Sequence, residues 1–272
     1  LAGWAIQEAN GNIAAREPAL RPALATNSIL FAVAFGLLGA LLVAGVTALF
    51  PSVGGPVSRT LLLAALACMP ILILRVYLAF LVQADYAFHV SNAAWLSGPT
   101  TTALLNGVLG AAGVLSVTSA LAVWVMGQTL GLVILATYVA RHAGFGAPNA
   151  AVARSSIGFG ARAQVKTIMD VGNYRADQWI LGSIAGAREL GIYSVAVAWA
   201  EMLYYLPGVL ALVQRPDIAR ATREAAGAFA SRVFRAASVL ATLLAAALVL
   251  AAPILCTAVF GDEFAEATGM LR

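Results

Sequence analysis

Apolar runs long enough to cross a lipid bilayer recur along almost the whole chain. A membrane-spanning helix needs about 20 mainly apolar residues, because the hydrocarbon core is about 30 Å thick and each helical residue adds about 1.5 Å. The chain is 61% hydrophobic and only 10% charged, which is more apolar surface than one water-soluble core can bury. We therefore predict an all-α, polytopic transmembrane helix bundle of about seven spans plus a partial one. The predicted spans are 28–50, 59–83, 98–117, 119–140, 160–184, 189–214 and 236–259.

Glycine and proline set the connections between these runs. Pro51, Gly54, Gly55 and Pro56 predict a tight turn, whereas the only break between the third and fourth spans is the weak one at Ser116–Ser119. Three prolines fall in the interior of predicted spans, where a proline kinks a helix and neighbouring groups satisfy the freed carbonyl. These prolines are Pro70, Pro207 and Pro253. The series Gly107, Gly110 and Gly113 is interpreted as a surface for close helix packing.

The arginines test the topology, because cytoplasmic loops retain Arg and Lys. With every span counted, three loops that fall on one side carry most of the loop arginines: Arg16, Arg21, Arg141, Arg154, Arg215, Arg220, Arg223, Arg232 and Arg235. This agreement supports two spans between residues 98 and 140. The loop 84–97 carries Asp85 and His89 and no Arg, so it is neutral on this point. Residues 214–235 are predicted to form an amphipathic cytoplasmic helix, either lying on anionic headgroups or acting as a solvated connector.

Several classes of function are disfavoured by the composition. The net charge of +4 comes from scattered arginines, which argues against nucleic acid as a partner. Cys68 and Cys256 each sit in an apolar run, and the histidines His89 and His142 lack metal-ligand spacing, so neither a disulfide nor a metal site is predicted. We find no catalytic constellation and expect no enzyme. The opening Leu1 and the closing Arg272 suggest a fragment of a longer protein.

The fifth predicted span carries a stripe of polar side chains. Arg162, Lys166, Asp170, Asn173 and Asp177 recur at i, i+4, i+8, i+11 and i+15, which places them within one narrow stripe of a helix. Charged groups at bilayer depth are costly, so this stripe is expected to face a cavity or a partner. The functional interpretation is a hydrophilic translocation cavity, with Arg162 and Lys166 near its cytoplasmic mouth. The alternative is interhelical pairing that never contacts a substrate.

Three further charges complete the set of candidate substrate or cavity residues. Arg175 points nearly opposite Asp177 on an ideal helix, so each is expected to face a different partner. Arg75 in the second span and Glu201 in the sixth should each find an opposite charge, a cavity or a backbone carbonyl. The planar guanidinium of Arg75 is suited to a phosphate, with structural pairing as the alternative.

Five motifs in the second half of the chain carry a resemblance to a known family. They are D-x-x-N-Y-R-A-D-Q-W-I-L-G-S at 170–183, E-L-G-I-Y-S-V-A at 189–196, E-x-x-x-x-L-P at 201–207, R-P-D-I-A at 215–219 and F-G-D-E-F at 260–264. Together they resemble polysaccharide biosynthesis membrane proteins, the oligosaccharide flippases and polysaccharide exporters of the multidrug/oligosaccharidyl-lipid/polysaccharide superfamily. Before residue 170 the match lies mainly in the spacing of the spans.

The resemblance implies a two-lobed transporter working by alternating access. Residues 1–156 would hold the end of helix two and the rest of the N-terminal lobe, and residues 157–272 the start of the C-terminal lobe. The implied substrate is a lipid-linked oligosaccharide or polysaccharide, handled in the bacterial inner membrane with membrane lipids and polysaccharide assembly enzymes as partners, for example in lipopolysaccharide or exopolysaccharide synthesis. No cofactor is expected, but Na⁺ or H⁺ coupling through Asp170, Asp177 or Glu201 is plausible. The alternatives are a multidrug or lipid II-type transporter of the same fold and a membrane-bound polysaccharide polymerase or glycosyltransferase.

Overall fold

The computed structural model describes residues 3–50, 58–261 and 266–271, and within these ranges every regular element is a helix. A short 3-10 turn at Pro18–Leu20 follows the first helix. The helices are α1 (Ile6–Arg16), α2 (Arg21–Leu49), α3 (Arg59–Ala67), α4 (Met69–Ala84), α5 (Phe88–Ala111), α6 (Val117–His142), α7 (Ala150–Ile184), α8 (Ala187–Arg220), α9 (Arg223–Phe260) and α10 (Ala267–Leu271). The all-α prediction is confirmed.

Five stretches of the described chain are long and apolar enough to cross a membrane, which confirms a polytopic membrane bundle. They are Pro18–Leu49, Arg59–Ala84, Val117–His142, Arg188–Arg220 and Glu224–Ala258. Helices α5 and α7 occupy the other two predicted spans but are not among these five. Their membrane-spanning role stays a prediction.

The boundary between the third and fourth predicted spans is well defined. Helix α5 ends before Gly113, whose φ of +70° suits glycine, and α6 begins at a capping box. Ser116 Oγ accepts from Ser119 N at 3.1 Å, and Ser119 Oγ accepts from Ser116 N at 2.8 Å. Two helices between residues 98 and 140 are thus confirmed, but the start of the first was wrong: α5 begins at Phe88 and contains ten residues that we assigned to a loop.

Two other boundaries also differ from the prediction. The second predicted span is divided at Cys68, because Pro70 lies in the first turn of α4, where a missing N–H is tolerated. The predicted turn at 51–56 lies outside the described residues. The amphipathic helix predicted at 214–235 is not a separate element, since its first part continues α8 and its second part begins α9 after the N-cap Thr222.

The lengths of α8 and α9 explain this last correction. Their 34 and 38 residues correspond to about 51 and 57 Å of helix, well over the roughly 30 Å of a hydrocarbon core. Arginines at adjoining ends, such as Arg220 and Arg232, are exposed. Both helices are therefore long enough to carry these arginines beyond the apolar layer.

The chain forms two compact units, Leu1–Val165 and Lys166–Arg272, whose boundary falls within α7. In the first unit, α2 approaches α4 where Gly36 faces Pro70, and a Cβ on Gly36 would lie 2.7 Å from the proline ring. Helices α5 and α6 are equally close, since a Cβ on Gly127 would lie 2.9 Å from the Gly98 carbonyl oxygen. Small residues thus let these helix backbones meet. The series we assigned to close packing does not bring helices together among the described residues. A Cβ on Gly107 or Gly113 would meet no atom of another element within 4 Å, and one on Gly110 would lie 3.9 Å from the side chain of Leu115.

Polar contacts gather the ends of several helices at one end of the first unit. Arg21 at the start of α2 forms an ion pair with Asp85, which follows α4. Asn27 Nδ2 donates to the Asn149 carbonyl oxygen at 2.9 Å, and Asn149 in turn caps α7 by accepting from Val152 N at 3.1 Å. The loop that contains Asp85 holds no arginine, so its composition did not test the topology. The ion pair now places it on the same side as the start of α2, as the alternating topology requires.

The second unit has its own apolar cluster, built around α8. Ile192 and Val195 of α8 pack with Cys256 of α9 and Ala267 of α10, and Trp199 covers the cluster. Next to this cluster, Arg188 pairs with Glu266 at 3.3 Å, although both side chains are exposed. Because exposed ion pairs contribute little, the apolar cluster is the main link between α8 and α10.

Candidate functional site

The polar stripe of α7 lies on exposed surface. Arg162, Lys166, Asn173 and Asp177 are all exposed. The packed face of the first part of α7 is a different one, and on an ideal helix Arg162 points nearly opposite the buried Gln164. The packed residues recur every four positions: Val152, Ser156, Gly160 and Gln164. The described side chains of the stripe thus lie on a different face from the packed residues of this part of the helix.

Two of the predicted site residues cannot be placed. The side chains of Asp170 and Arg175 lie outside the described residues, although the backbone of both belongs to α7. The geometry of the stripe therefore rests on its remaining members.

Asp177 connects α7 to α8 within the second unit. The Tyr193 hydroxyl donates to Asp177 Oδ2 at 2.6 Å, which is the length of a strong bond to a charged acceptor. Tyr193 lies in the E-L-G-I-Y-S-V-A motif, so two of the quoted motifs meet through this bond. Glu201, two turns further along α8, is half-buried. Two acidic side chains that were predicted as cation carriers are thus found on neighbouring helices.

Arg75 is buried, with 6% of its surface exposed, and joins three helices of the first unit. Its Nη1 donates to Gln128 Oε1 on α6, and its Nη2 donates to the Ala94 carbonyl oxygen on α5 at 3.2 Å. The guanidinium also lies 4.5 Å from the centre of the Trp95 ring. Arg75 therefore has the carbonyl partners expected of a buried cation, and a cation–π contact stabilises it further. Its predicted role towards a phosphate stays a prediction.

A proline explains why α5 offers carbonyl groups to Arg75. Pro99 lies inside α5 and has no N–H, so it cannot pair with the carbonyl of Trp95 four residues earlier. Arg75 Nη2 lies 3.4 Å from that oxygen and donates to it. Sequence reasoning missed Gln128 as a partner of Arg75 and Pro99 as the residue that leaves the Trp95 carbonyl unpaired. The signal was present only for Pro99, since a proline within a helical run always leaves a carbonyl unpaired.

The protein-family model described as polysaccharide biosynthesis protein matches residues 28–269, which is most of the chain. The chain belongs to the polysaccharide biosynthesis protein family. No curated protein and no solved structure matches it significantly.

Family membership confirms the resemblance to polysaccharide biosynthesis proteins that was drawn from the motifs after residue 170. The match begins at residue 28, so it also covers α4, α5 and α6 with the Arg75 contacts. This polysaccharide biosynthesis protein therefore carries two groups of candidate residues. One is the exposed stripe on α7 with Tyr193 and Glu201 on α8, and the other is the buried Arg75 with its partners.

A third polar group lies at the end of the first unit, where Arg21 pairs with Asp85. Tyr138 of α6 lines the small cavity beside this ion pair, and its ring stacks on His142 with 4.1 Å between ring centres. The predicted site did not include these residues. Within the described ranges, no group of three or more His, Cys, Asp or Glu side chains is placed to hold a metal ion.

Proposed function

We propose that this chain is part of a membrane transporter that moves lipid-linked oligosaccharide or polysaccharide across the bacterial inner membrane by alternating access. The observation that carries the proposal is the family match over nearly all the membrane-forming helices of the chain. A protein of polysaccharide biosynthesis that consists largely of apolar helices is suited to act on a substrate that is itself anchored in lipid. The predicted absence of an enzyme activity is part of this proposal.

The exposed stripe on α7 is the proposed contact for the charged part of the substrate. A diphosphate headgroup needs cations and hydrogen-bond donors, and Arg162 and Lys166 supply both from consecutive turns of one face. Asn173 follows two turns after Lys166 and offers neutral donors. We propose that these side chains hold the headgroup in water while the lipid tail stays in the bilayer.

Cation coupling belongs to the same proposal. Asp177, Glu201 and Asp170 are the proposed carriers of Na⁺ or H⁺, since carboxylates at membrane depth are the groups that exchange these ions. The hydrogen bond from Tyr193 fixes the Asp177 carboxylate in one orientation. Surrounding lipids and polysaccharide assembly enzymes are the proposed partners.

The test uses the full-length protein reconstituted in liposomes with lipid-linked oligosaccharide that carries a nitrobenzoxadiazole fluorophore on its terminal sugar. Dithionite does not cross the bilayer and reduces only the outer-leaflet fluorophores. We expect the protein to bring the inner-leaflet fraction within reach of dithionite, and Arg162→Gln to slow this movement. Arg154→Gln is the matched control, because Arg154 is also exposed on α7 but lies outside the stripe.

Other outcomes would replace the proposal. If the protected fraction stays at the level of protein-free liposomes while a fluorescent organic cation is transported, the protein is a multidrug transporter. If mass spectrometry shows that the oligosaccharide has been lengthened, the protein is a polymerase or glycosyltransferase.

A further inference from the structure

A groove of about 360 Å³ lies between α5 and α6. Thr102 and Asn106 of α5 line one wall, and Trp124 and Gln128 of α6 line the other. The volume falls within the range of about 300–1,000 Å³ that is typical of small-molecule sites. Among the described residues that line the groove, none is charged.

Two residues that line the groove each have a side-chain oxygen that is buried without a hydrogen-bond partner among the described residues. These oxygens are Thr102 Oγ1 and Asn106 Oδ1. A threonine hydroxyl in a helix usually donates to the carbonyl four residues earlier, as Thr129 does to Val125 at 2.9 Å. Neither oxygen has appreciable accessible surface, so a ligand in the groove reaches it when the side chain rotates towards the groove. Because unpaired polar groups within a membrane are costly, a polar ligand there would complete the bonding.

Arg75 fixes a third polar group at the groove. Because Gln128 Oε1 accepts from Arg75, the Nε2 amino group of the same side chain is turned towards Gly98, which also lines the groove. The absence of a side chain at Gly98 makes room for this amide, since a Cβ there would lie 2.9 Å from Nε2. Thr102, Asn106 and Gln128 together offer both donors and acceptors.

We propose that the groove binds the neutral saccharide part of the substrate through Thr102, Asn106 and Gln128, with Trp124 as the apolar wall. A sugar ring has hydroxyl groups around its edge and C–H groups on its faces, which match amide and hydroxyl partners beside a flat indole. A phosphate would find no cation in the groove, and a lipid chain would leave both oxygens unpaired. The proposal rests on the proposed transport function, because it makes the groove a subsite for the same substrate.

The test measures transport by the full-length protein with the lipid-linked oligosaccharide purified from cells that lack the transporter gene and labelled as above. Thr102→Val and Asn106→Leu remove the two oxygens and keep the number of side-chain heavy atoms. We expect each variant to raise KM at least tenfold while kcat changes less than threefold. Thr100→Val is the matched control, because Thr100 is exposed on α5 and does not line the groove, so its KM should equal that of the wild type.

The free oligosaccharide, released from its lipid diphosphate by mild acid, separates this proposal from the transport function. We expect it to bind the wild-type and Thr100→Val proteins in isothermal titration calorimetry and to show at least tenfold weaker binding to Thr102→Val and Asn106→Leu. This binding does not depend on flipping, so it would support the subsite even if no flipping occurred. Equal binding to all four proteins, or no binding to any of them, would overturn the proposal.

A competing occupant is another helix of the full-length protein that covers the groove. In that case Thr102→Val and Asn106→Leu would lower the thermal unfolding midpoint and leave both KM and binding unchanged, which would also overturn the proposal. If a saccharide is the occupant, the ligand-free variants should unfold at or above the wild-type midpoint, because each loses a buried unpaired oxygen.

Discussion

The guanidinium of Arg75 on α4 donates to Oε1 of Gln128 on α6, although 53 positions separate the two residues in the chain. Because Arg75 is buried, its guanidinium depends on acceptors supplied by the protein, and Gln128 Oε1 is one of them. The bond joins the second predicted span to the fourth and, through the carbonyls of Ala94 and Trp95, to the third.

The first prediction concerns this bond. Gln128→Leu should lower the free energy of unfolding by about 1.5–3 kcal/mol, because it leaves a buried cation without one of its acceptors. Arg75→Leu should be similarly destabilising, and the double variant should cost less than the sum of the two, with a coupling of about 0.5–3 kcal/mol. Equilibrium unfolding of the full-length protein in mixed micelles measures all four forms.

Pro99→Ala supplies the control for the contact with α5. It restores an N–H that can pair with the Trp95 carbonyl, so this carbonyl no longer needs Arg75 as a donor. Arg75→Lys should therefore lower the free energy of unfolding less in the Pro99→Ala protein than in the wild type. Strict additivity in either experiment would show that Arg75 does not connect the three helices.

The second prediction concerns the packing of α2 on α4. Gly36→Ala should lower the free energy of unfolding by about 1–3 kcal/mol, because the new methyl group meets the backbone and ring of Pro70. Gly45→Ala on the same helix meets no atom within 4 Å and should be stabilising by about 0.5–1 kcal/mol. The same micelle titration applies, and two variants of equal stability would contradict the close approach at Gly36.

The third prediction concerns the environment of the α7 stripe. After Cys68 and Cys256 are replaced by alanine, Lys166→Cys and Asn173→Cys should react with a charged, membrane-impermeant thiol reagent. Ile168→Cys should not react with this reagent. Although Ile168 is 55% exposed, it lies nearly opposite Lys166, on an apolar face suited to lipid. Mass spectrometry of the labelled protein reports the outcome. If every stripe position stays unlabelled in all working conformations, no water reaches it and the proposed headgroup contact fails.

The fourth prediction concerns ion coupling. Asp170→Asn, Asp177→Asn and Glu201→Gln are each expected to reduce the acceleration of flipping by an imposed Na⁺ or proton gradient, because an amide cannot exchange these ions as a carboxylate does. Asp217→Asn near the end of α8 is the control and should keep the wild-type response. Gradient-driven dithionite assays give the rates. Full acceleration in all three variants would assign coupling to other residues.

The sequence misplaced the start of α5 for an identifiable reason. Residues 88–97 include His89, Ser91 and Asn92, which hydropathy treats as loop residues. In the structure Gln83 Nε2 donates to Ser91 Oγ at 2.9 Å, so a polar side chain is satisfied inside the bundle and the helix continues through it. Hydropathy measures the preference of a residue for water, whereas burial beside a polar partner removes that preference.

In the candidate site, too, the sequence predicted which residues share a helix face but not which residues of different helices are in contact. The stripe of α7 follows from spacing alone, because residues three and four apart share a helix face whatever surrounds the helix. The contact between Asp177 and Tyr193 does not, since it depends on how α7 and α8 pack. Likewise, the charge of Arg75 could be recognised as costly from the sequence, but Gln128 could not be identified as its partner.

The sequence by itself determined that this protein is a bundle of membrane helices and which family it resembles, because apolar run length, arginine placement and short motifs are local properties of the chain. Only the tertiary structure decided which residues come together: Gly36 lies against Pro70, Arg21 pairs with Asp85, and Thr102 and Gln128 line one groove. These pairs lie far apart in the chain. Their contacts are set by the packing of whole helices, which the pattern of any single helix does not specify.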